Sequence, residues 1–187
     1  LKLVTDNART RFDRVRRGDE HGFMGIHLAA LHGNVGVLQL LLHLGHDVGE
    51  PTYGFFTCLH LACLAGHRAV VELLVEDYGA DVNACCVDLD ACFLTGTPFN
   101  LAAMKGHEDV VEFLLDLPLE RGIDPGANDN YAFLMAALCG HTRVVKLLLD
   151  LPCGRRPTRA AVQSALSDLD LDASVVAVLL DDLDAAP

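Results

Sequence analysis

Four segments of the chain share one arrangement: a run of small and apolar residues, a glycine, and a second apolar run. The central glycines are Gly33, Gly66, Gly106 and Gly140, so the segments follow one another at steps of 33, 40 and 34 residues. Repeats of this length are typical of architectures in which one helical unit cannot bury its apolar side alone and must stack on the next. The sequence therefore predicts an array of stacked units.

Each unit is predicted to be a pair of short helices followed by a turn. The first run contains paired alanines, such as Ala102 and Ala103, which allow a neighbouring helix to approach closely. A glycine can then take the left-handed conformation that ends a helix. The second run, VVELL at residues 70–74 for example, has the helical apolar spacing of a buried face. The residues that follow, rich in Asp, Asn, Gly and Pro, predict a turn or an extended finger.

These units resemble the ankyrin repeat. The T-P-L-H-x-A signature is present in part as TCLHLA at residues 57–62 and TPFNLA at residues 97–102, and GADVNA at residues 79–84 matches the family's exit from its second helix. The lead-in LPLERGIDP from Leu117 is similar to a variant subfamily. The resemblance implies an all-α ankyrin-repeat solenoid with hairpin-like fingers and helical caps. It also implies structural roles for His27 and His60, which occupy the position of the signature histidine.

The resemblance divides the chain into six segments. We predict a basic N-terminal helical cap at 1–18, ankyrin repeats at 19–50, 51–84, 85–127 and 128–157, and a diverged C-terminal capping helix pair at 158–187. The longest step between units predicts one extra residue near Tyr78 and an inserted finger at 85–96. The fourth unit has Tyr131 and Leu134 where the signature has threonine and histidine, and the first has Met24 where it has threonine.

Composition and charge restrict the compartment and the partner. The chain has seven cysteines, an odd number without the spacing of a disulfide framework, which predicts a reducing intracellular location, the cytoplasm, with the nucleus left open. No apolar stretch approaches the roughly 18 residues that a membrane helix needs, so no membrane partner is predicted. The formal net charge of −12 disfavours nucleic acid and favours a partner with basic residues around an apolar core.

The sequence gives little support for catalysis. The repeats contain no serine and no glycine-rich nucleotide loop. We therefore predict no catalytic residue, no cofactor, no metal and no small-molecule substrate. One rival is a small metal or redox protein built on Cys85, Cys86 and Cys92 in the inserted finger, although directly adjacent cysteines lack the spaced pairs that zinc prefers.

The predicted function is non-enzymatic protein–protein interaction, in which a rigid concave groove receives a partner peptide or protein. In the ankyrin family the contacts usually come from the finger tips and from the two positions before the central glycine. The first of these positions is apolar in all four units, which predicts an apolar groove. The predicted partner-binding residues are Phe23, Leu31, His32, Tyr53, Phe55, Phe56, Leu64, Met104, Lys105 and Leu138.

Three alternatives stay open. Phe55 or Phe56 packs beneath the finger, and Leu31 or Leu138 is covered by loops, in which case these residues do not reach a partner. The chain is the substrate-receptor, adaptor or effector part of a larger protein, such as a ubiquitin-ligase adaptor or a host-directed effector. Asn83 is a modification site, because the resemblance places it where asparaginyl hydroxylases act on some family members.

Overall fold

The structure is a computed structural model that describes residues 24–87, 95–118, 123–152, 155–168 and 171–185. The chain divides into two compact units, Leu1–Gly96 and Thr97–Pro187. The predicted cap at 1–18, the predicted contact residue Phe23 and most of the inserted finger at 85–96 lie outside the described residues. The boundaries assigned to the repeats and caps stay predictions.

The first unit contains two helix pairs. Its helices are α1 (Gly25–Leu31), α2 (Val35–His43), α3 (Cys58–Ala65) and α4 (Arg68–Glu72), and α4 continues into a π-helical segment (Leu73–Asp77). Helix α1 packs against both α2 and α3, so the two pairs lie side by side. After them come the antiparallel strands β1 (Cys86–Val87) and β2 (Thr95–Gly96), with Cys86 opposite Gly96.

The described residues of the second unit form three helix pairs. Its helices are α5 (Pro98–Lys105), α6 (Glu108–Asp116), α7 (Ala127–Leu138), α8 (Thr142–Leu149), α9 (Arg159–Asp168) and α10 (Ala173–Ala185). The first helices of the pairs contact one another in succession, α5 with α7 and α7 with α9, and the second helices do the same, α6 with α8 and α8 with α10. The predicted all-α fold of stacked helix pairs is confirmed.

The apolar triplets of the second helices lie in the core of each unit. Val70, Val71 and Leu74 are buried, and α6 and α8 bury the equivalent residues Val110, Val111, Leu114, Val144, Val145 and Leu148. Burial of one such side chain contributes roughly 1.5–3 kcal/mol. The alanine pairs of α5 and α7 are buried as well, which allows these two helices to pack closely.

In three of the pairs, the first helix is capped by a threonine. The threonine side chain accepts a hydrogen bond from the backbone N–H three residues later. The three are Thr57, Thr97 and Thr158, at the starts of α3, α5 and α9, with N–O distances of 3.5, 3.4 and 3.2 Å. Such a cap satisfies one of the N–H groups that the first turn leaves without an intrahelical acceptor. The cap at Thr158 shows that the pair α9 and α10 begins in the same way as the repeats before it.

Helix α7 begins differently, because its repeat has Tyr131 at the threonine position. The helix begins at Ala127, before the position that the repeat pattern predicts. Asp129 and Asn130 take left-handed backbone conformations, with φ of 56° and 63°. Asp and Asn tolerate this conformation better than other non-glycine residues. The first turn of α7 is therefore irregular.

The extra residue predicted near Tyr78 is accommodated by the π-helical segment that ends just before it. After α2, the His46 N–H donates to the Leu41 carbonyl oxygen at 3.2 Å. After the π-helical segment, the Ala80 N–H donates to the Leu74 carbonyl oxygen at 2.9 Å, which is one residue farther back along the chain. A π-helical turn contains more residues than an α-helical turn, so the insertion fits without losing the hydrogen bond that closes the helix.

A histidine in each unit links one helix pair to the pair before it. His67 Nε2 donates to the Leu31 carbonyl oxygen at 3.0 Å, and His141 Nε2 donates to the Met104 carbonyl oxygen at 3.0 Å. These carbonyls lie at the C-terminal ends of α1 and α5, where backbone acceptors have no intrahelical donor. The imidazole therefore satisfies an acceptor that the helix itself cannot.

The glycine of the earlier pair makes room for this histidine. Gly33 has a φ of 68°, and a Cβ at this position would lie 2.7 Å from the Nδ1 atom of His67. Gly106, with a φ of 74°, has the same relation to His141. Glycine is thus required both by the left-handed turn and by the space that the ring occupies.

The signature histidines hold the helix starts to the fingers, as the resemblance implies. Nδ1 of His60 accepts from the Thr57 N–H at 3.2 Å, while its Nε2 donates to the carbonyls of Ala84 and Gly96, at 3.0 and 3.3 Å. Burial lowers the pKa of His60 to about 4, because desolvation disfavours the charged imidazolium. The ring is therefore neutral at pH 7.

His27 makes the same contacts in the first pair. Its Nδ1 accepts from the Met24 N–H at 3.1 Å, and its Nε2 donates to the Glu50 carbonyl oxygen at 2.8 Å. The histidine thus performs its part of the cap even where methionine stands in place of threonine.

We expect Gly33→Ala to destabilise the protein more than Gly45→Ala. Both glycines are left-handed, with φ of 68° and 87°, so alanine costs roughly 1 kcal/mol at either position. At Gly33 the new Cβ would meet the ring of His67. At Gly45 no atom lies within 4 Å of the new Cβ. Urea unfolding should separate the two variants by at least about 1 kcal/mol. Equal stability of the two variants would contradict the steric role of Gly33.

We expect His60 to lower the free energy of unfolding as the pH falls from 6.5 to about 4. In this window the unfolded chain binds a proton at His60 and the folded chain does not, because the folded pKa is about 4. Within this window the free energy of unfolding falls by up to about 1.4 kcal/mol per pH unit because of His60. Above pH 6.5 His60 has no such effect. His60→Asn, which copies Asn100 of α5, should remove this part of the pH dependence in urea unfolding at pH 7.5 and 5. An unchanged dependence in the variant would contradict the assignment.

Candidate partner-binding surface

The first of the two positions before the central glycine differs in exposure between repeats. Leu31 and Leu64 are half-buried, whereas Leu138 is 42% exposed at the end of α7. The prediction that Met104 faces solvent is wrong, since it is only 8% exposed. Methionine is unbranched and flexible, which allows its side chain to fill irregular gaps in a core. The four apolar side chains at this position therefore differ in exposure.

The second of these positions is the more polar part of the surface. His32 directly follows α1, and Lys105 is the last residue of α5; both are exposed. A cation at the C-terminal end of a helix interacts favourably with the helix dipole. Cys139, which follows α7, is also exposed, and Ala65 is half-buried. Polar and apolar side chains thus alternate at the ends of the first helices.

The finger between α2 and α3 ends in a tight turn that exposes two aromatic rings. The Phe55 N–H donates to the Thr52 carbonyl oxygen at 3.0 Å, and the Thr52 N–H donates to the Phe56 carbonyl oxygen at 2.9 Å. The buried Thr52 side chain accepts a further bond from the Phe56 N–H at 3.2 Å. Tyr53 and Phe55, at the tip of this turn, are 66% and 56% exposed.

Phe56 is buried, so the prediction that it belongs to the partner-binding surface is wrong. Its ring packs edge-on against the imidazole of His60, with 6.0 Å between ring centroids and an interplanar angle of 76°. Of the two phenylalanines, only Phe56 packs beneath the finger. The sequence could not separate them, because the side to which each ring projects is set by the backbone of the turn and by tertiary contacts.

The backbone at Phe55 is left-handed, with a φ of 61°. This conformation is rare for a bulky side chain, because its Cβ approaches the following carbonyl oxygen, at a cost of roughly 1–2 kcal/mol. The sequence carries no signal of this conformation, since the glycine of the turn, Gly54, precedes the left-handed residue and does not occupy its position.

The buried thiols of α3 serve packing. Burial raises the pKa of Cys58 to about 12, and burial also raises the pKa of Cys63. Because the thiolate is the reactive form, both side chains stay protonated and unreactive at neutral pH. They behave as small apolar residues of the core.

The inserted finger is described only at its ends. Cys85 is exposed, and Cys86 is buried and donates its Sγ–H to the Gly96 carbonyl oxygen at 3.2 Å. Within the described ranges, no group of three or more His, Cys, Asp or Glu side chains could hold a metal ion. Cys92, the third cysteine of the metal or redox alternative, lies outside the described residues.

Asn83 lies on an exposed turn after the π-helical segment. Its backbone N–H donates to Oδ1 of Asp81 at 2.9 Å, which is typical of a turn stabilised by an aspartate. Hydroxylation of Asn83 stays a prediction.

The described part of the first unit is acidic. Residues 24–87 contain one basic side chain apart from histidine, Arg68, whose Nε lies 2.7 Å from Oε1 of Glu72. The acidic residues in this range are Asp47, Glu50, Glu72, Glu76, Asp77 and Asp81. A partner that carries basic residues is attracted to such a surface.

For the residues that the structure describes, no helix combines the length and the apolar character that a membrane crossing requires.

The chain is similar to known proteins across its repeats. A family model described as ankyrin repeats (3 copies) matches residues 12–86 and 84–161. Alpha-latrotoxin-Lg1a of Latrodectus geometricus is 32% identical over 108 residues, which are 57% of this chain and 7% of that protein. Transient receptor potential cation channel subfamily A member 1 of Drosophila melanogaster is 28% identical over 108 residues, 57% of this chain and 9% of that protein.

A third relative is the human Ankyrin repeat and SOCS box protein 3, which is 38% identical over 73 residues, 37% of this chain and 14% of that protein. This chain therefore spans only a small part of the length of the curated relatives it matches. The family model, in contrast, covers most of this chain, and its repeats agree with the stacked helix pairs of the structure. The chain belongs to the ankyrin-repeat family.

Proposed function

We propose that this protein is a non-enzymatic binding module whose first unit captures a partner protein or peptide at the finger between α2 and α3. Ankyrin repeats generally mediate interactions between proteins and are generally not enzymes. The observation that carries the proposal is the exposure of Tyr53 and Phe55, because aromatic rings on a rigid turn are typical binding hot spots. The exposed His32 and the half-buried Leu31 and Leu64 supply the rest of this surface.

The strained backbone at Phe55 supports a role in binding. A glycine would adopt the φ of 61° without the cost of roughly 1–2 kcal/mol that phenylalanine incurs. The ring is 56% exposed, so its partial burial on folding contributes little free energy to offset this cost. Strain that the fold does not require is concentrated at functional sites. The ring is therefore kept for contact with a partner.

The turn also holds the two rings in place before a partner arrives. Its backbone hydrogen bonds involve both the N–H and the carbonyl of Thr52, and the buried hydroxyl of Thr52 adds a third bond. A surface that is already ordered loses less conformational entropy on association. The finger thus acts by rigid display.

The partner in this proposal carries an apolar or aromatic anchor flanked by Lys or Arg. The anchor packs on Tyr53 and Phe55, and the basic residues are drawn to the acidic surface of the first unit. The second unit, taken by itself, exposes Lys105 and Leu138, which we propose as contact residues of that unit. Met104 and Phe56 are not part of the surface, because both are buried.

A second candidate is that the chain is the receptor part of a larger adaptor or effector. The similarity to the Ankyrin repeat and SOCS box protein 3 favours it, since that protein's name joins ankyrin repeats to another element. Affinity capture separates the candidates. A ubiquitin-ligase component that is captured equally by the wild type and by a finger variant would favour the adaptor, because it would bind away from the finger.

We expect Phe55→Gly to be more stable than Phe55→Ala by about 1 kcal/mol. Both variants lose the ring and its partial burial, but only glycine adopts the left-handed conformation freely. Urea unfolding of the two purified proteins measures the difference. Equal stabilities would mean that the backbone at Phe55 is not strained, and the argument from strain would fail.

We expect the double variant Tyr53→Ala/Phe55→Gly to bind partner peptides at least roughly tenfold more weakly than the wild type. The probe is a peptide selected from a random displayed library on the purified wild-type protein, and its Kd is measured by fluorescence anisotropy. Leu180→Ala is the matched control, because Leu180 is a 49% exposed apolar residue of α10.

The selected peptides should combine an aromatic or branched apolar residue with Lys or Arg, and added salt should weaken their binding. Peptides that bind the wild type and the double variant equally, while both proteins remain folded, would overturn the proposed site.

A further inference from the structure

Helices α6 and α8 of the second unit, the second helices of two successive pairs, leave a groove between them on the surface. Two cavities of about 470 and 600 Å³ lie along it. They share three lining residues, Glu108, Glu112 and Arg143, so they form one continuous groove. The larger cavity also reaches Lys146 and Leu147. This groove lies on other residues than the fingers and first-helix ends, so it is a separate surface.

The two walls of the groove carry opposite charges. The α6 wall presents the carboxylates of Glu108, Asp109 and Glu112, whereas the α8 wall presents Arg143 and Lys146. Both basic residues stand at repeat positions that are acidic in α6, so the charge at these positions reverses from one repeat to the next. The α6 wall therefore attracts basic groups, and the α8 wall attracts acidic groups.

The protein uses only part of this charge for its own contacts. Among the described residues, one ion pair crosses the groove, between Arg143 Nη1 and Glu108 Oε2 at 3.3 Å, and the Arg143 side chain is 85% exposed. An ion pair this exposed contributes little to stability. Glu112 and Lys146 line the same cavity, yet neither forms an ion pair with any side chain that the structure describes. These two charges thus remain available to a partner.

We propose that this groove receives a helix of a partner protein, whose apolar seam has Lys or Arg on one flank and Asp or Glu on the other. The basic flank lies along α6, the acidic flank lies along α8, and the seam covers the half-buried Leu147. Helices in coiled coils use charged residues beside an apolar seam in the same way. Helix α6 is nine residues long, so the contact extends over about 14 Å.

Charge complementarity selects this partner over a purely basic one. The net charge of −12 attracts basic peptides to the protein as a whole. At the α8 wall, however, Arg143 and Lys146 repel a basic flank, and such like-charge contacts decide between partners. Asp150, at the end of α8, is the acidic exception on this wall, so the acidic flank pairs with the two basic residues that precede it.

The test uses two synthetic helical peptides of about three heptads with the same apolar seam. The mixed-flank peptide has Lys on one flank and Glu on the other, and the Lys-flanked peptide has Lys on both. Their Kd values are measured by fluorescence anisotropy on the full chain carrying Tyr53→Ala and Phe55→Gly, so that the finger does not contribute. The salt concentration is about 0.15 M, at which charges more than about 8 Å apart are largely screened.

We expect the mixed-flank peptide to bind at least roughly fivefold more tightly than the Lys-flanked peptide. Lys146→Glu makes both walls acidic and should reverse this preference. Arg159→Glu is the matched control, because it changes the charge equally and Arg159 is exposed at the start of α9, outside the lining of both cavities. It should leave the preference unchanged. Circular dichroism checks that each variant is folded, and Lys146→Gln, which should abolish the preference without reversing it, replaces Lys146→Glu if that variant does not fold.

Three results would overturn the proposal. The first is that the mixed-flank peptide does not bind, or binds no more tightly than the Lys-flanked peptide. The second is the same preference in Lys146→Glu and in Arg159→Glu. The third is a sedimentation mass above that of one chain that falls in Lys146→Glu but not in Arg159→Glu, because a second copy of the chain would then occupy the groove.

Discussion

The hydrogen bond from a histidine ring to the end of the preceding first helix sets the spacing of the repeats within each unit. His67 bonds to Leu31, and His141 bonds to Met104. The bond requires a free carbonyl at a helix C-terminus, a glycine that leaves space for the ring, and a histidine at the start of the next second helix. These three features stand at fixed positions in the repeat, so the contact holds each of these two pairs in register with the pair before it.

The last described pair shows what happens when this histidine is absent. Asp172 occupies its position, and its Oδ1 accepts from the Ser174 N–H at 2.8 Å and from the Ser174 hydroxyl at 2.7 Å. These bonds lower the pKa of Asp172. The nearest neighbour of a Cβ on Gly140 would be the Asp172 Cβ at 3.9 Å, which is ordinary contact. The residue therefore caps its own helix instead of reaching back to the preceding one.

The features that the sequence predicted are those with local causes. Left-handed glycines and the insertion near Tyr78 each act within a few residues, so each leaves a signal in the order of the residues. The exposure of Met104 was predicted wrongly, and the sequence left open which of Phe55 and Phe56 is buried, because burial is set by tertiary packing and not by the order of the residues. The early start of α7 was also missed, since the two residues that take left-handed conformations there, Asp129 and Asn130, are equally ordinary in a turn.

The finger between α2 and α3 is held in place at its base and near its tip. These contacts fix the left-handed backbone at Phe55 when the protein folds. His27 holds the base through the Glu50 carbonyl, and Phe56 packs against His60 next to the tip. The cost of the left-handed backbone at Phe55 is therefore met during folding, when many other contacts form. Under the proposed function, a partner would meet rings that are already ordered, so little of the contact energy would be lost to ordering the finger. The two exposed rings suit the proposed anchoring role because the backbone cost at Phe55 is met before a partner binds.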